Sequence, residues 1–312
     1  SAARTGGRIA TFSIGFDADE VSETPHAREV AELFGTAHHE RILLRDAAQE
    51  LLPRLKPWFD EQYADESAMP TFLVSQTARE KVTVVLTGDG GDEVFGGYST
   101  YARFARYARW PTWPKFMDAL AVRLRTRLDR RNPLARILAL LEMGLSSGPD
   151  LWARIMFGMP QAAKVPYRHE FEIPRDYDDW WHYREFWRAE LPLRTRLQHV
   201  DFHTFMPGLV LTKVDRTSMA VSLEARVPLL ARGIIEFSFS LDENLRYLHG
   251  EPKGLLRHAY RGILPDRILD RPKKGFGIPR YYLRDLSRKA PIQEHVLRSL
   301  FMTAPGGVEH AV

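Results

Sequence analysis

The 312-residue chain carries 44 basic and 40 acidic side chains, a net charge of +4, and 44% hydrophobic residues, enough apolar material for a sizeable core. It has no cysteine, which excludes disulfides, thiolate metal sites and a cysteine nucleophile within it and makes a reducing cytoplasm the expected location. No apolar run approaches the ~18 residues of a membrane-spanning helix, Ser1 to Gly7 lacks the layout of a signal peptide, and so mild a charge permits an anionic ligand without demanding nucleic acid.

Residues 9 to 16 read as a buried strand ended by Gly15. Ala27, Val30, Ala31 and Phe34 then fall on one helical face over residues 26 to 34. Pro25 suits the first helical position and Gly35 the stop. His38 to Leu44 predicts a second strand, and Leu51, Leu52 and Leu55 a further helix. Ser67 is placed to cap a helix with Pro70 in its first turn and Phe72, Leu73 and Ala78 as apolar contacts. The β-branched stretch Lys81 to Thr87 predicts the clearest strand, running into a glycine cluster. This alternation predicts an α/β fold, a parallel sheet with crossover helices.

After Tyr98 the texture changes, and Thr100 to Leu300 reads almost wholly as helix and loop, with aromatic clusters at Trp180 to Tyr183 and Phe186-Trp187. The arginines from Arg123 to Arg136 alternate with Leu124, Leu128, Leu134 and Ile137, the pattern of a solvated amphipathic helix pair broken at Asn132-Pro133. The expected organisation is an α/β nucleotide-binding part over residues 1–98 and a mainly helical part over residues 99–312.

Chemistry concentrates in the stretch from Leu86 to Tyr98, where a strand ends, glycines allow a tight turn, and Asp89, Asp92 and Glu93 crowd together. Ligands of parallel sheets bind beyond the carboxyl ends of strands. Glycine amides can approach phosphate oxygens closely, and carboxylates beside phosphate suggest Mg²⁺. On spacing alone, a calcium-like or merely polar turn carries equal weight.

The string Gly88-Asp-Gly-Gly-Asp-Glu-Val-Phe-Gly-Gly-Tyr98 resembles the signature loop of the asparagine synthetase family. The resemblance extends to Thr11-Phe-Ser-Ile-Gly-Phe16, Gly35-Thr-Ala-His-His-Glu40, Asp65-Glu-Ser-Ala68 with Pro70-Thr71, Lys213 to Met219 joined to Ser222 to Pro228, and Arg271-Pro-Lys-Lys-Gly-Phe276, in the family's order. It implies an adenine-nucleotide alpha-hydrolase-like synthetase domain. The implied reaction adenylates a carboxylate with ATP and Mg²⁺, releases pyrophosphate, and lets ammonia displace AMP.

The same resemblance implies the site residues. Asp92 corresponds to the carboxylate that binds Mg²⁺-pyrophosphate, and Gly88, with the backbone around Ile14, to adenosine contacts. Gly90 and Gly91 belong to the nucleotide-binding loop, and Lys273 to the lysine that steadies the phosphoryl transition state. Asp89 stands where many asparagine synthetases place glutamate and is the candidate base for the amine. Implied partners are aspartate or another small carboxylate and ammonia from an N-terminal glutaminase domain, with a homodimer as an assembly to consider and neither membrane nor nucleic acid.

Two family features are missing from these residues: the glutaminase domain opening on a cysteine, and a Ser-Gly-Gly-x-Asp-Ser loop ahead of residues 11 to 16, for which Thr5-Gly6-Gly7 is no substitute. The chain is therefore expected to be a truncated synthetase part, inactive alone. An aspartate commonly follows Pro-Phe-Leu in the family, whereas this chain reads Pro228-Leu-Leu-Ala231. That departure keeps open another acceptor, as in β-lactam closure, peptide cyclisation or surface-polymer amidation, beside a non-catalytic scaffold. Lys213 with Asp215-Arg216 reads as an ion-pair network docking the helical half. His199 and His203 share a helix face at a spacing used for zinc, but two imidazoles do not complete a site and metal binding is not expected there.

Overall fold

The structure, a computed structural model, describes residues 8–17, 22–60, 65, 67–110, 117, 120, 121, 123, 124, 128, 132–156, 168, 169, 172, 174, 177, 178, 180–273 and 275–279. The chain begins β1 (Ala10–Phe16), α1 (Thr24–Leu33), β2 (Ala37–Leu43), α2 (Arg45–Leu55), α3 (Ala68–Arg79) and β3 (Val84–Leu86). Helices follow, as α4 (Gly91–Phe95), α5 (Ser99–Tyr107), α6 (Pro133–Met143), α7 (Gly148–Met156), α8 (Trp181–Glu185) and α9 (Leu193–His203). A π-helical turn at Met206–Leu211 leads into α10 (Thr212–Met219) and β4 (Glu224–Arg226). The described part closes with α11 (Arg232–Ser240), α12 (Glu243–Arg246), α13 (Gly254–Ala259) and α14 (Asp266–Leu269). None of the described helices is long and apolar enough to cross a membrane.

The elements fall into two units, one of Ser1–Asp89, Gly208–Ala231 and Arg257–Val312, the other of Gly90–Pro207 and Arg232–Leu256. In the first unit β1 and β2 pair in parallel from Ala10↔Ala37 to Phe16↔Leu43. As expected, Pro25 sits in the first turn of α1, and Gly35 follows the helix at φ 61°. Ile14, Phe16, Leu43, Leu51, Leu55, Met69, Phe72 and Leu73 form the core here, joined by Ile278 from far along the chain. Burying each large aliphatic or aromatic side chain contributes about 1.5–3 kcal/mol.

Some expectations need correction. The strand expected over Lys81 to Thr87 is only Val84–Leu86, flanked by single ladder bonds from Glu224 N to Thr83 O and from Thr87 N to Arg226 O, both 2.9 Å. Its partner β4 pairs with it in parallel and lies in the stretch read as helix and loop; three residues are too short for a period-two pattern to register. Among the described residues the strands form two separate two-stranded parallel pairs, β1–β2 and β3–β4, rather than one sheet.

Ser67, at the start of α3, makes no side-chain cap. Its hydroxyl instead accepts a 3.0 Å hydrogen bond from Lys213 Nζ, while Asp65 Oδ1 accepts from Ser67 N at 2.9 Å. Lys213 therefore ties α10, from the part read as helical, to α3 of the α/β part, as the expected network does, and both helices lie in the first unit. Asp215 is exposed, and Arg216 pairs with Asp60 rather than with its neighbour.

The second unit packs around Tyr101 and Phe104 of α5, Leu151 and Trp152 of α7, Tyr183 of α8, and Leu197 and Val200 of α9. Trp152 stacks on Tyr101 at 5.6 Å and takes the edge of Phe104 at 5.8 Å, favourable aromatic geometries. The arginine-rich helix pair lies largely outside the described residues; its break at Asn132-Pro133 is a helix start, with Asn132 Oδ1 accepting from Leu134 N at 2.9 Å.

Candidate active site

β3 leads into the glycine loop, and the division between the units falls inside it, after Asp89. On the second unit's side, Gly90 at φ 81° opens α4 and Gly96 at φ 68° closes it, left-handed conformations that favour glycine. A side chain at Gly97 would collide with the Asp92 carboxylate and the Lys253 stem, so the Gly96-Gly97 pair is required by close approach as well as by backbone.

The loop's carboxylates have different fates. Glu93 is 1% exposed and accepts a 2.5 Å hydrogen bond from Tyr98 Oη; burial first, then the Glu93 charge, raises the Tyr98 phenol above its usual range. Asp92 stays one-quarter exposed and takes Lys253 Nζ at 3.0 Å, with the lysine side chain 31% exposed. Lys253 holds a positive φ of 54°, and its backbone N donates to Phe95 O at 3.2 Å.

The last carbonyls of α4 are satisfied from below. Gln198 Nε2 donates to Glu93 O at 2.7 Å and Val94 O at 3.2 Å, and Ser238 Oγ to Val94 O at 2.9 Å. Arg246 in turn holds Gln198 Oε1 at 3.0 Å. A one-turn helix that is marginal alone is thereby fixed by its surroundings.

On the first unit's side, Gly88 is exposed and Asp89 half-buried, whereas Gly90 and Gly91 across the division are buried. Thr87 Oγ1, at the carboxyl end of β3, is buried without a hydrogen-bond partner. Ile14 is 5% exposed and its side chain serves the core, leaving the strand backbone for any ligand contact. Lys273 is exposed, two residues beyond Arg271, whose Nη1 donates to Glu23 Oε1 at 2.5 Å. Lys274 lies outside the described residues. The structure thus brings Asp92 together with Lys253, a residue not expected from the sequence, and places Ile14, Gly88, Asp89 and Lys273 in the other unit.

No group of three or more His, Asp or Glu side chains able to hold a metal occurs among the described residues. A single loop carboxylate fits Mg²⁺ that arrives with phosphate, because that ion takes one or two protein carboxylates and leaves its other positions to phosphate and water. The unpartnered Thr87 hydroxyl fits a polar ligand at the loop entrance.

Each histidine of the pair engages one ring nitrogen. His199 Nδ1 lies 3.0 Å from Phe186 O and His203 Nδ1 2.8 Å from His199 O. Burial pulls the His199 pKa down. The significant residue of that segment is Asp201, fully buried, accepting from Tyr101 Oη at 2.8 Å and Trp152 Nε1 at 3.0 Å. Burial pushes its carboxyl up to about 8 against the lowering effect of those hydrogen bonds. An acid at i+4 from Leu197 on the apolar face was the available signal; for Lys253 no spacing pointed to Asp92.

A separate cleft of about 600 Å³ in the first unit is lined by residues including Arg8, Arg28, Thr36, His38 and Glu40, none of them an expected site residue. In it Arg28 pairs with Glu40 at 2.7 Å and His38 Nδ1 lies 2.9 Å from Thr11 Oγ1.

The asparagine synthase family model matches residues 1–301. The glutamine-hydrolysing asparagine synthetase 1 of Bacillus subtilis (strain 168) is 29% identical over 284 residues, covering 89% of this chain and 44% of that protein. A putative glutamine-hydrolysing asparagine synthetase of Mycobacterium tuberculosis (strain ATCC 25618 / H37Rv) is 32% identical over 289 residues, 89% of this chain and 42% of its own length. A putative relative in Methanocaldococcus jannaschii reaches 39% over 135 residues, 43% of this chain and 26% of that protein. The chain therefore spans less than half the length of these curated relatives.

Proposed function

Because the chain belongs to the asparagine synthase family, we propose that it is the synthetase part of an ATP-dependent amide ligase that adenylates a carboxylate, aspartate first, and transfers ammonia to it. The observation that carries the reading is the Asp92 carboxylate, kept partly open beside Lys253 on a turn bracketed by left-handed glycines.

In the proposed reaction a substrate carboxylate oxygen attacks the α-phosphorus of ATP and pyrophosphate leaves. Ammonia then attacks the acyl carbon, and AMP departs with the original carboxylate oxygen. Asp92 would hold Mg²⁺, whose chemistry is to neutralise the pyrophosphate charge. Gly88 and the backbone at Ile14 would bind adenosine, with Gly90 and Gly91 shaping the loop. Lys273 would stabilise charge on the transferring phosphoryl group, and Asp89 would accept the proton lost by the amine. Residues 1–98 would form the nucleotide-binding part and residues 99–312 complete the site.

A second reading keeps this chemistry and changes the acceptor. It is favoured by Ala231, exposed after the short turn Pro228–Leu230, where the family pattern places an aspartate. Incubating the intact protein with ATP, Mg²⁺, ammonia and aspartate, and separating AMP from ADP, tests both. AMP with asparagine supports the first reading and AMP only with another carboxylate the second; no AMP with any carboxylate contradicts both.

A further inference from the structure

We infer that Lys253 is the resident counter-ion of Asp92 and makes loading of a divalent cation conditional on a di- or triphosphate anion; the inference rests on Asp92 being the metal carboxylate proposed above. The Asp92 Oδ1 atom already faces an ammonium at 3.0 Å. A divalent cation arriving alone would have to displace that ammonium and then sit beside it, a like-charge contact with only partial solvent screening at this level of exposure.

Lys253 cannot withdraw through its backbone. It is held at φ 54°, its N–H donates to Phe95 O, and a Cβ on the adjacent Gly254 would press within 2.6 Å of the Leu248 backbone. A non-glycine residue at such a φ persists only where its surroundings determine it, and such strain clusters at functional positions. The freedom left is in the methylene stem, which passes Gly97 at a point where any larger residue would obstruct it. A polyphosphate changes the balance, because its oxygens give the displaced ammonium a new anionic partner while the metal takes the carboxylate. Lys253 thus selects the metal–phosphate complex over the free ion.

The test is titration of the intact protein with Mn²⁺, a spectroscopic substitute for Mg²⁺, followed by water-proton relaxation with and without inorganic pyrophosphate. Without pyrophosphate, Lys253→Met is expected to bind Mn²⁺ about fivefold to tenfold more tightly than wild type, and Lys253→Arg to match wild type. With pyrophosphate the wild-type affinity should rise by more than that of Lys253→Met. Retained thermal melting establishes that the variants fold, and Lys253→Arg keeps the charge should Lys253→Met unfold: tight metal binding by Lys253→Arg in the absence of pyrophosphate overturns the inference. So does equal Mn²⁺ affinity in Lys253→Met and wild type. Pyrophosphate-dependent metal binding that survives in Asp92→Asn instead overturns the assignment of Asp92, and with it the inference built upon it.

Discussion

Lys213 and Lys253 each face an aspartate, one in each unit, and the two pairs are built differently. Lys213 is 9% exposed overall, gives its strongest hydrogen bond to the Ser67 hydroxyl at 3.0 Å, and stands 3.8 Å from Asp65. Both partners belong to the start of α3, so the lysine fastens α10 to that helix. Lys253 makes the closer ion pair, 3.0 Å to Asp92, yet both side chains keep a quarter or more of their surface and its own backbone is strained. A buried cation shared with a hydroxyl has no better partner to move to, which suits it to structure. A half-open pair on a constrained turn can exchange partners, which suits it to a ligand.

The largest effect that would separate the pairs is on stability. Lys213→Met leaves Asp65 and Ser67 without their cation and should cost about 3 kcal/mol, whereas Lys253→Met should cost less than about 1 kcal/mol. Denaturant titration of both variants decides this; equal losses would mean that the two pairs do the same job. Next comes turnover in the intact protein. Lys273→Ala should lower it by ~10²-fold or more, the scale of losing one electrostatic stabiliser, with melting almost unchanged because Lys273 is exposed. A near-normal rate would remove Lys273 from the site.

A third effect concerns a buried acid that has no lysine. The Asp201 carboxyl, raised to about 8 from an ordinary value near 3.8, favours the folded state when protonated. Its stabilising contribution is complete below that ordinary value and is lost as pH rises through about 8, at up to about 1.4 kcal/mol per pH unit. Wild type should therefore lose stability relative to Asp201→Asn as pH is raised from about 5 to about 8. Parallel melting curves across that range would show that the network of Tyr101 and Trp152 keeps Asp201 ionised. The smallest effect is at the exposed pair of Arg232 and Glu236, 90% and 61% open, where Arg232→Ala should change stability by less than about 0.5 kcal/mol.

Much of the first unit was legible in the sequence because its signals are local. Pro25, Gly35 and the β-rich stretch at residues 9 to 16, observed as a strand from Ala10 to Phe16, each dictate their own backbone. β4 was not legible, since a three-residue strand is defined by its partner β3 rather than by its own pattern. Ser67 had the right residue type for a cap, but a buried lysine from far along the chain claimed its hydroxyl. The loop from Gly88 to Tyr98 announced itself through glycines and carboxylates, although the sequence could not divide Glu93, sealed under Tyr98, from Asp92, left open. Lys253 and Gln198, which hold that loop, are recognisable only through contacts spanning roughly a hundred residues or more.

Adenylation is the central step of the proposed reaction. Aspartate labelled with ¹⁸O in its side-chain carboxylate, given to the intact protein with ATP, Mg²⁺ and ammonia, should yield AMP carrying one ¹⁸O atom, because the carboxylate oxygen stays on phosphorus when ammonia displaces AMP. Unlabelled AMP formed alongside labelled asparagine, or label appearing in inorganic phosphate with ADP, would contradict it.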